Sequence, residues 1–272
     1  MIIGVDIGGT KTLLAVFAEN GKLLKEVRFE TSRDYDTFLA DLKRRADSLE
    51  TTKAKVACVA VPGAVDREEG KILGLGNLPW KDVYIQHDAA NALGVASVCI
   101  ENDANLAGLA EARALAKPSP LVVYITLSTG IGSGIIVNNK LIPELNGSEA
   151  GQMLVRDSDG TAHRWETFAS GQALVALTGK RADELTDKKL WNQYVVKVCL
   201  GLQPTISTLR PQKVILGGGV GAQLEKFHGM LVDQLEALNH SRTYTNPEIL
   251  GAHYGENSVI YGCYEYAKDH LA

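Results

Sequence analysis

The stretch Asp6-Ile7-Gly8-Gly9-Thr10-Lys11 puts a carboxylate, two glycines, a hydroxyl and an ammonium group within six residues. Glycines leave consecutive backbone N–H groups open to an anion, and a neighbouring carboxylate can hold a Mg²⁺ ion. Asp6, Gly8, Gly9, Thr10 and Lys11 therefore read either as a phosphate cradle with Mg²⁺ near Asp6, or as a plain Gly-Gly hairpin. The stretch is not a GxxxxGK[ST] loop, nor a GxGxxG turn in a βαβ unit, because a strand follows it rather than a helix. STGIGSG (128–134), with Thr129 and Gly130, offers hydroxyls and amides of the same kind. Gly217-Gly218-Gly219-Val220 joins a strand to the start of a helix, which suits an anion, a flat adenosine lying on the backbone, or close helix–strand packing.

A second set of groups could handle an alcohol. ENDANLAGLAEA (101–112) places Asn102 and Asp103 between a strand and a helix. Asn and Asp are favoured helix N-caps, so Asp103 reads either as a cap or as a general base mounted at a strand end, with Asn102 able to take the cap instead. GNLPW (76–80) reads as a polyhydroxyl site through Asn77 with Trp80 as an apolar wall, or as a Pro turn over a buried Trp. Glu149 and Glu166 are either a pair of acceptors for adjacent sugar hydroxyls or ordinary exposed acids. From Ala150 to Gly171, acids, an Arg, a His and a Gln crowd together without a period. No Ser-His-Asp or HExxH pattern is visible, the six His are scattered, and Ser128 lies outside any GxSxG elbow.

The elements that must position these groups follow from the apolar pattern. Strands are expected over 2–7, over TKTLLAVF and KLLKEVRFE with an Asn20-Gly21 turn between them, and over 55–61, 95–100, 121–127 and 213–216. A turn at 128–134 and a hairpin through Asn138-Asn139 at 135–142 follow the sixth of these runs. Helices are expected over 34–48, 104–116, 187–209, 222–238 and 256–270. Strands alternating with helices indicate an α/β fold. The segment DIGGTKTLLAVFAENGKLL (6–24) also runs parallel to TLSTGIGSGIIVNNKLI (126–142): strand end, Gly/Thr turn, apolar strand, Asn turn, Lys-Leu. That repeat predicts a duplicated fold with the two turns facing one cleft.

Composition limits the function. The chain has 272 residues, 45% hydrophobic and 22% charged, with a net charge of -4. Such a chain suits a globular protein of one large or two modest domains, and its acidic balance disfavours a nucleic-acid partner. The start, MIIGVDIGG, does not predict a signal peptide, and no apolar run is long enough for a membrane span. Four scattered cysteines, Cys58, Cys99, Cys199 and Cys263, predict free thiols in a reducing cytoplasm.

Taken in order, DIGGTK, VPGAVD (61–66), NLPW, ENDAN, STGIGSG, NGSEAG (146–151), WETFASG (165–171) and LGGGV resemble the ROK family of sugar kinases, and its bacterial glucokinases most of all. The resemblance covers nearly the whole chain. It implies an actin-like ATPase (ribonuclease H-like) α/β fold with duplicated mixed-sheet halves around a central cleft. The halves would be 1–117 with 255–272, and 118–254. It further implies an ATP-dependent hexose kinase in which Asp103 takes the proton of the sugar 6-hydroxyl. Asn102, Glu149, Gln152 and Glu166 would bind the sugar, with Gly63 and Asn77 close by. The DIGGTK and STGIGSG turns would hold the donor phosphates with Mg²⁺, and Gly217, Gly218 and Gly219 would lie near the adenosine. A homodimer is implied as well.

One segment departs from the family. Its GExGH and CxCGxxGC segments bind a structural zinc through the His and three Cys. Here Gln152 stands for the His, and Asp157, Asp159 and Arg164 stand for the cysteines. These cannot form a tetrahedral thiolate site, so no zinc is expected. Arg164 bridging Asp157 and Asp159 is one expectation for the space. Solvated charges or a Ca²⁺ at DSDG are the others. Glucose leads as substrate. Other hexoses, N-acetylhexosamines and a polyphosphate donor stay open, as do the family's repressors and a catalytically inactive sugar-binding protein.

Overall fold

A computed structural model describes residues 1–157, 160–239 and 244–271. The chain divides into two compact units, Met1–Ala110 with Asn257–Ala272, and Glu111–Glu256. The first unit opens with the strands β1 (Ile2–Ile7), β2 (Lys11–Phe17) and β3 (Leu23–Glu30), followed by helix α1 (Tyr35–Leu49). Next come β4 (Val56–Val61), a small hairpin of β5 (Gly63–Asp66) and β6 (Lys71–Leu75), α2 (Ile85–Leu93), β7 (Ser97–Asn102) and α3 (Asp103–Arg113). Strands β1 and β4 are apolar along almost their whole length because both sheet faces are covered. The edge strand β3 is mostly exposed and carries Lys25, Glu26 and Arg28, which discourages pairing with another chain.

The second unit runs β8 (Leu121–Leu127), β9 (Ile131–Val137), β10 (Lys140–Leu141), β11 (Leu154–Arg156) and β12 (Ala162–Arg164). Helices α4 (Trp165–Ala169), α5 (Gly171–Thr178) and α6 (Lys188–Leu209) follow, then β13 (Lys213–Gly217), α7 (Gly218–Gly221), α8 (His228–Leu238) and β14 (Glu248–Gly251). Helix α9 (Ser258–Asp269) then returns to the first unit.

The two main sheets have the same topology, β3-β2-β1-β4-β7 and β10-β9-β8-β13-β14. In each, an antiparallel meander is extended by two parallel strands. The duplication read from the sequence is therefore real at the level of topology. Asn138 and Asn139 both have positive φ, 51° and 61°, as a type I′ hairpin requires.

Two of the expected elements need correction. The glycine turn at 128–134 is shorter than expected, since Ile131 to Gly134 already pair with β8. The helix expected over 222–238 is broken, because Phe227 turns inward and stacks on Trp191 at 4.8 Å, and α8 begins only at His228. Strand β5, helix α2 and strand β14 have no counterpart in the sequence reading. The four cysteines are free and buried.

Helix α9 covers one face of the first sheet through Ile260, Cys263, Tyr264 and Ala267, while α1 and α2 cover the other through Phe38, Leu42, Ile85 and Ala89. Gly262 lets α9 come close to helix α3: a Cβ there would lie 2.0 Å from the carbonyl oxygen of Leu106. Backbone cannot yield as a side chain can, so Gly262→Ala is expected to destabilise the first unit by ~1–3 kcal/mol. The urea midpoint checks this, with Gly74→Ala, whose Cβ would meet nothing within 4 Å, as the neutral control.

Candidate active site

The parallel ladder sets the first group of residues level with one another. Asp6 pairs with Ala60, Ala60 with Glu101, and Val61 with Asn102, so β1, β4 and β7 end together. Beyond β1 the chain reverses tightly, with the Gly8 N–H donating to the Lys11 carbonyl at 3.0 Å. Gly9 lies against Asn77, whose Cβ would be 3.0 Å from a Cβ at Gly9. Thus DIGGTK and NLPW, far apart in sequence, meet through a glycine. The side chains of Thr10, Lys11 and Asn77 are exposed. Trp80 is not a wall of the site: it is buried against Phe38 at 4.6 Å, and its Nε1 donates to the Arg33 carbonyl at 2.9 Å.

At the end of β7 the two roles weighed for Asp103 separate. Asn102 Oδ1 accepts from the N–H groups of Ala104 at 2.9 Å and Asn105 at 3.2 Å, which is the capping work. Asp103 accepts one bond from the same turn, the Ala104 N–H to Oδ1 at 2.8 Å. Asn102 Nδ2 donates to the Gly63 carbonyl at 3.2 Å, so Gly63, Asn102 and Asp103 form one cluster. Beneath them lies Glu101, whose side chain is 0% exposed and is ion-paired with Arg67. Nothing local marks this pair beyond an acid opening a motif at the end of an apolar strand.

Burial pushes the Asp6 carboxyl up to about 6, against the pull of Arg28. A buried oxygen donor beside an open glycine turn is what a hard cation would offset, so the residues fit a Mg²⁺ ion.

The second unit gathers Glu149, Gln152 and Glu166. Gln152 Nε2 donates to Glu166 Oε1 at 2.8 Å, and Arg164 Nη1 donates to Gln152 Oε1 at 3.1 Å. Burial, and then the charge of Glu166, raise the Glu149 carboxyl above its ordinary range. Gly130 borders the group, since a Cβ there would stand 2.9 Å from Glu166 Oε2. The turn carrying Thr129 is anchored from α5 by the Gly171 N–H, which donates to the Ser128 carbonyl at 2.6 Å.

The expected bridge from Arg164 to Asp157 is not formed. Arg164 is drawn to Gln152 and, at 3.9 Å, to Glu166. Asp157 instead accepts from Lys197 Nζ of α6 at 2.9 Å on both carboxylate oxygens. The better-buried ammonium outcompetes the exposed guanidinium. Asp159 lies outside the described residues. Among the described residues, no group of three or more His, Cys, Asp or Glu is placed to hold a metal ion.

The three glycines at the junction of β13 and α7 divide their work. Gly217 lies under the Tyr124 hydroxyl, 2.0 Å from where its Cβ would be, and Gly218 has φ +74° and lies against the Leu127 carbonyl. These two serve close packing. Gly219 has open space around it. With Thr129, Leu127, Val175, Ala182 and Val220 it lines a cavity of about 570 Å³. Helix α7 has only four residues, so its dipole adds little for an anion.

The Asp6 environment has a measurable signature. Its folded carboxyl titrates near 6, above the 3.8 of a free aspartate, so the folded state holds the extra proton in between. Stability contributed by that proton is present at low pH and is lost as pH rises through this window, to a total of up to ~3 kcal/mol at neutrality. Asp6→Asn is expected to raise the melting temperature at pH 7 and flatten its fall between pH 4 and 7. An unchanged pH dependence would contradict the buried-carboxyl description.

Comparison with known proteins agrees with this architecture. The family model described as "ROK family" matches residues 2–270. The crystal structure of a ROK hexokinase from Thermus thermophilus superposes with a TM-score of 0.82 at 26% identity, covering 99% of this chain and 98% of that one. A fructokinase of Streptococcus mutans is 26% identical over 258 residues, 85% of this chain and 86% of that protein. A glucokinase of Streptomyces coelicolor is 30% identical over 197 residues, 69% of this chain and 62% of that protein. With two sheets of one topology, in the actin-like ATPase arrangement, and every motif in order, the chain belongs to the ROK family.

Proposed function

We propose that the protein is an ATP-dependent hexose kinase that phosphorylates the 6-hydroxyl, with glucose as the leading substrate. The observation that carries this reading is the division of labour at the start of α3. Asn102 caps the helix through two backbone N–H groups, so the cap does not depend on Asp103, whose carboxylate stands at the strand end where a general base would be mounted. In the reaction, the 6-hydroxyl oxygen forms a bond to the γ-phosphorus while the bond from that phosphorus to the β–γ bridging oxygen breaks. Asp103 takes the hydroxyl proton, and ADP departs with the bridging oxygen. Phosphoryl transfer of this kind depends mainly on positioning and on neutralising charge.

The remaining residues take the roles that the family resemblance implies. Gly63, Asn77, Asn102, Glu149, Gln152 and Glu166 would take the other sugar hydroxyls. Gln152 spends one Nε2 proton on Glu166 and accepts from Arg164, so a second Nε2 proton is left for a sugar oxygen. Gly8, Gly9, Thr10, Lys11, Thr129 and Gly130 would face the phosphates, with Asp6 nearest Mg²⁺. When bound, that ion would supply positive charge against the phosphate oxygens. The cavity beside Thr129 and Gly219, lined by Leu127, Val175 and Val220 together with the polar Gln172, Arg181 and Gln223, has the size for an adenosine, which supports ATP over polyphosphate, since polyphosphate has no base to fill it. A cytoplasmic homodimer completes the proposal, and the free buried thiols suit a reducing compartment.

Asp103→Asn is expected to lower turnover ~10²–10⁴-fold while glucose binding, read by calorimetry, persists. Near-parental turnover would refute the base. The same coupled ADP-release assay, run over glucose, mannose, fructose, allose and N-acetylhexosamines, with product followed for polyphosphate as donor, fixes the substrates. Sugar binding without turnover with any donor would point instead to a regulator of the repressor type.

A further inference from the structure

Glu101 is a buried carboxylate that the reaction just described does not use. Its side chain is fully enclosed, 0% exposed, two residues before Asp103. It accepts from Arg67 Nε at 2.7 Å, with a second bond from Arg67 Nη2 making the pair bidentate. It also accepts from the Asn102 N–H at 2.7 Å and from Asn105 Nδ2 at 2.9 Å. A carboxylate so enclosed carries a heavy desolvation penalty and is tolerated only with such partners. All the partners named here lie on the segment that carries Asp103 or on one hairpin.

That hairpin is β5–β6. Arg67 sits in its turn, which is stiffened by Asp66 Oδ1 accepting from the N–H groups of Glu68 and Glu69, both at 3.0 Å. The opposite end of the hairpin touches the same segment, because the Gly63 carbonyl accepts from Asn102 Nδ2 at 3.2 Å. The hairpin therefore meets the end of β7 twice, once through a neutral bond and once through a buried ion pair. Two such attachments fix both the distance and the orientation of the segment. A bidentate guanidinium–carboxylate pair adds directional control that a lysine could not.

We propose that Glu101, clamped by Arg67, is a positioning residue that holds Asn102 and Asp103 in register with the β5–β6 hairpin. This inference rests on the reading of Asp103 as the base. The pair touches neither sugar nor nucleotide in that scheme. It sets where the Asp103 carboxylate stands, and a displacement of ~1 Å at a reacting group is worth ~10²-fold in rate.

The test uses Arg67→Gln, Arg67→Lys and Glu101→Gln in the full chain, with melting curves to confirm folding. Arg67→Gln leaves the enclosed Glu101 carboxylate without its cation, so the double variant Arg67→Gln/Glu101→Gln, which removes both charges together, carries the test if that single variant does not fold. Arg67→Gln is expected to lower kcat ~10–100-fold, with the KM values for sugar and ATP within ~3-fold of the parent. Arg67→Lys should recover part of the loss, and the double variant should be no worse than the worse single change, because the pair acts as a unit. A folded Arg67→Gln protein with parental kcat, or with a change confined to KM, overturns the proposal. Active Asp103→Asn would instead remove the base on which it rests. Inactive Asp103→Asn beside a normal Arg67→Gln would reject the positioning role alone.

Discussion

Backbone pairing between parallel strands is the constraint from which the rest of the first unit follows. Residue by residue, the ladder ties Asp6 to Ala60 and Ala60 to Glu101. Three chain segments that are distant in sequence thus stop at one edge, where loops carry chemistry in α/β sheets. A slip of one residue would turn every side chain of a strand to the opposite face. Such a slip would turn Asp6 to the other face of the sheet and pull Glu101 out of reach of Arg67. The apolar residues of β1 and β4, buried on both faces, are what hold that register.

The second unit uses the same scaffold with different end groups. Thr126 pairs with Gly217 across β8 and β13, which brings the Ser128–Gly130 turn and the triple glycine to the same edge. Around those turns, side-chain volume is deleted wherever something must come close: Gly130 for Glu166, Gly171 for Ser128, Gly217 for Tyr124. Glycine here is less a flexible residue than a gap of defined shape. The charged groups of the Gln152–Glu166 region form a chain of hydrogen bonds from Arg164 through Gln152 to Glu166, and the more buried charge, Lys197, anchors Asp157 to α6.

Much of this was legible in the order of residues, for identifiable reasons. Runs such as IIGVDI and LVVYITL can only be buried strands, and the Asn turns between strands carry their own geometry. The motif residues of the site were legible because they break the apolar pattern at strand ends. What could not be read is instructive. Helix α2 hides because two of its buried positions are alanines, Ala89 and Ala92, which give a weak periodic signal. Gly132, Ser133 and Gly134 look like a turn by composition, yet cross-strand pairing with β8 overrides propensity. The Arg67–Glu101 and Lys197–Asp157 pairs were invisible because each joins residues 34 and 40 positions apart, and nothing local marks which acid meets which base. Trp80, read as a possible site wall, belongs to the core because α1 presents Tyr35 and Phe38 to its ring.

Helix α9 bears on how the protein comes into being on the ribosome. The second unit is one uninterrupted stretch, Glu111–Glu256, so all of its core has been synthesised before α9 is made. The first unit begins earlier but completes later. Until Ile260, Cys263, Tyr264 and Ala267 have emerged, the face formed by Ile2, Ala15, Phe17 and Cys58 lacks most of its cover, with Leu106 of α3 alone of the helical residues there already made. The amino-terminal sheet must therefore wait, with an apolar surface open to water, through the translation of more than half the chain. Nascent chains with such a surface are the ones most in need of chaperone shelter, and the sheet's charged edge strand is its own defence during that interval.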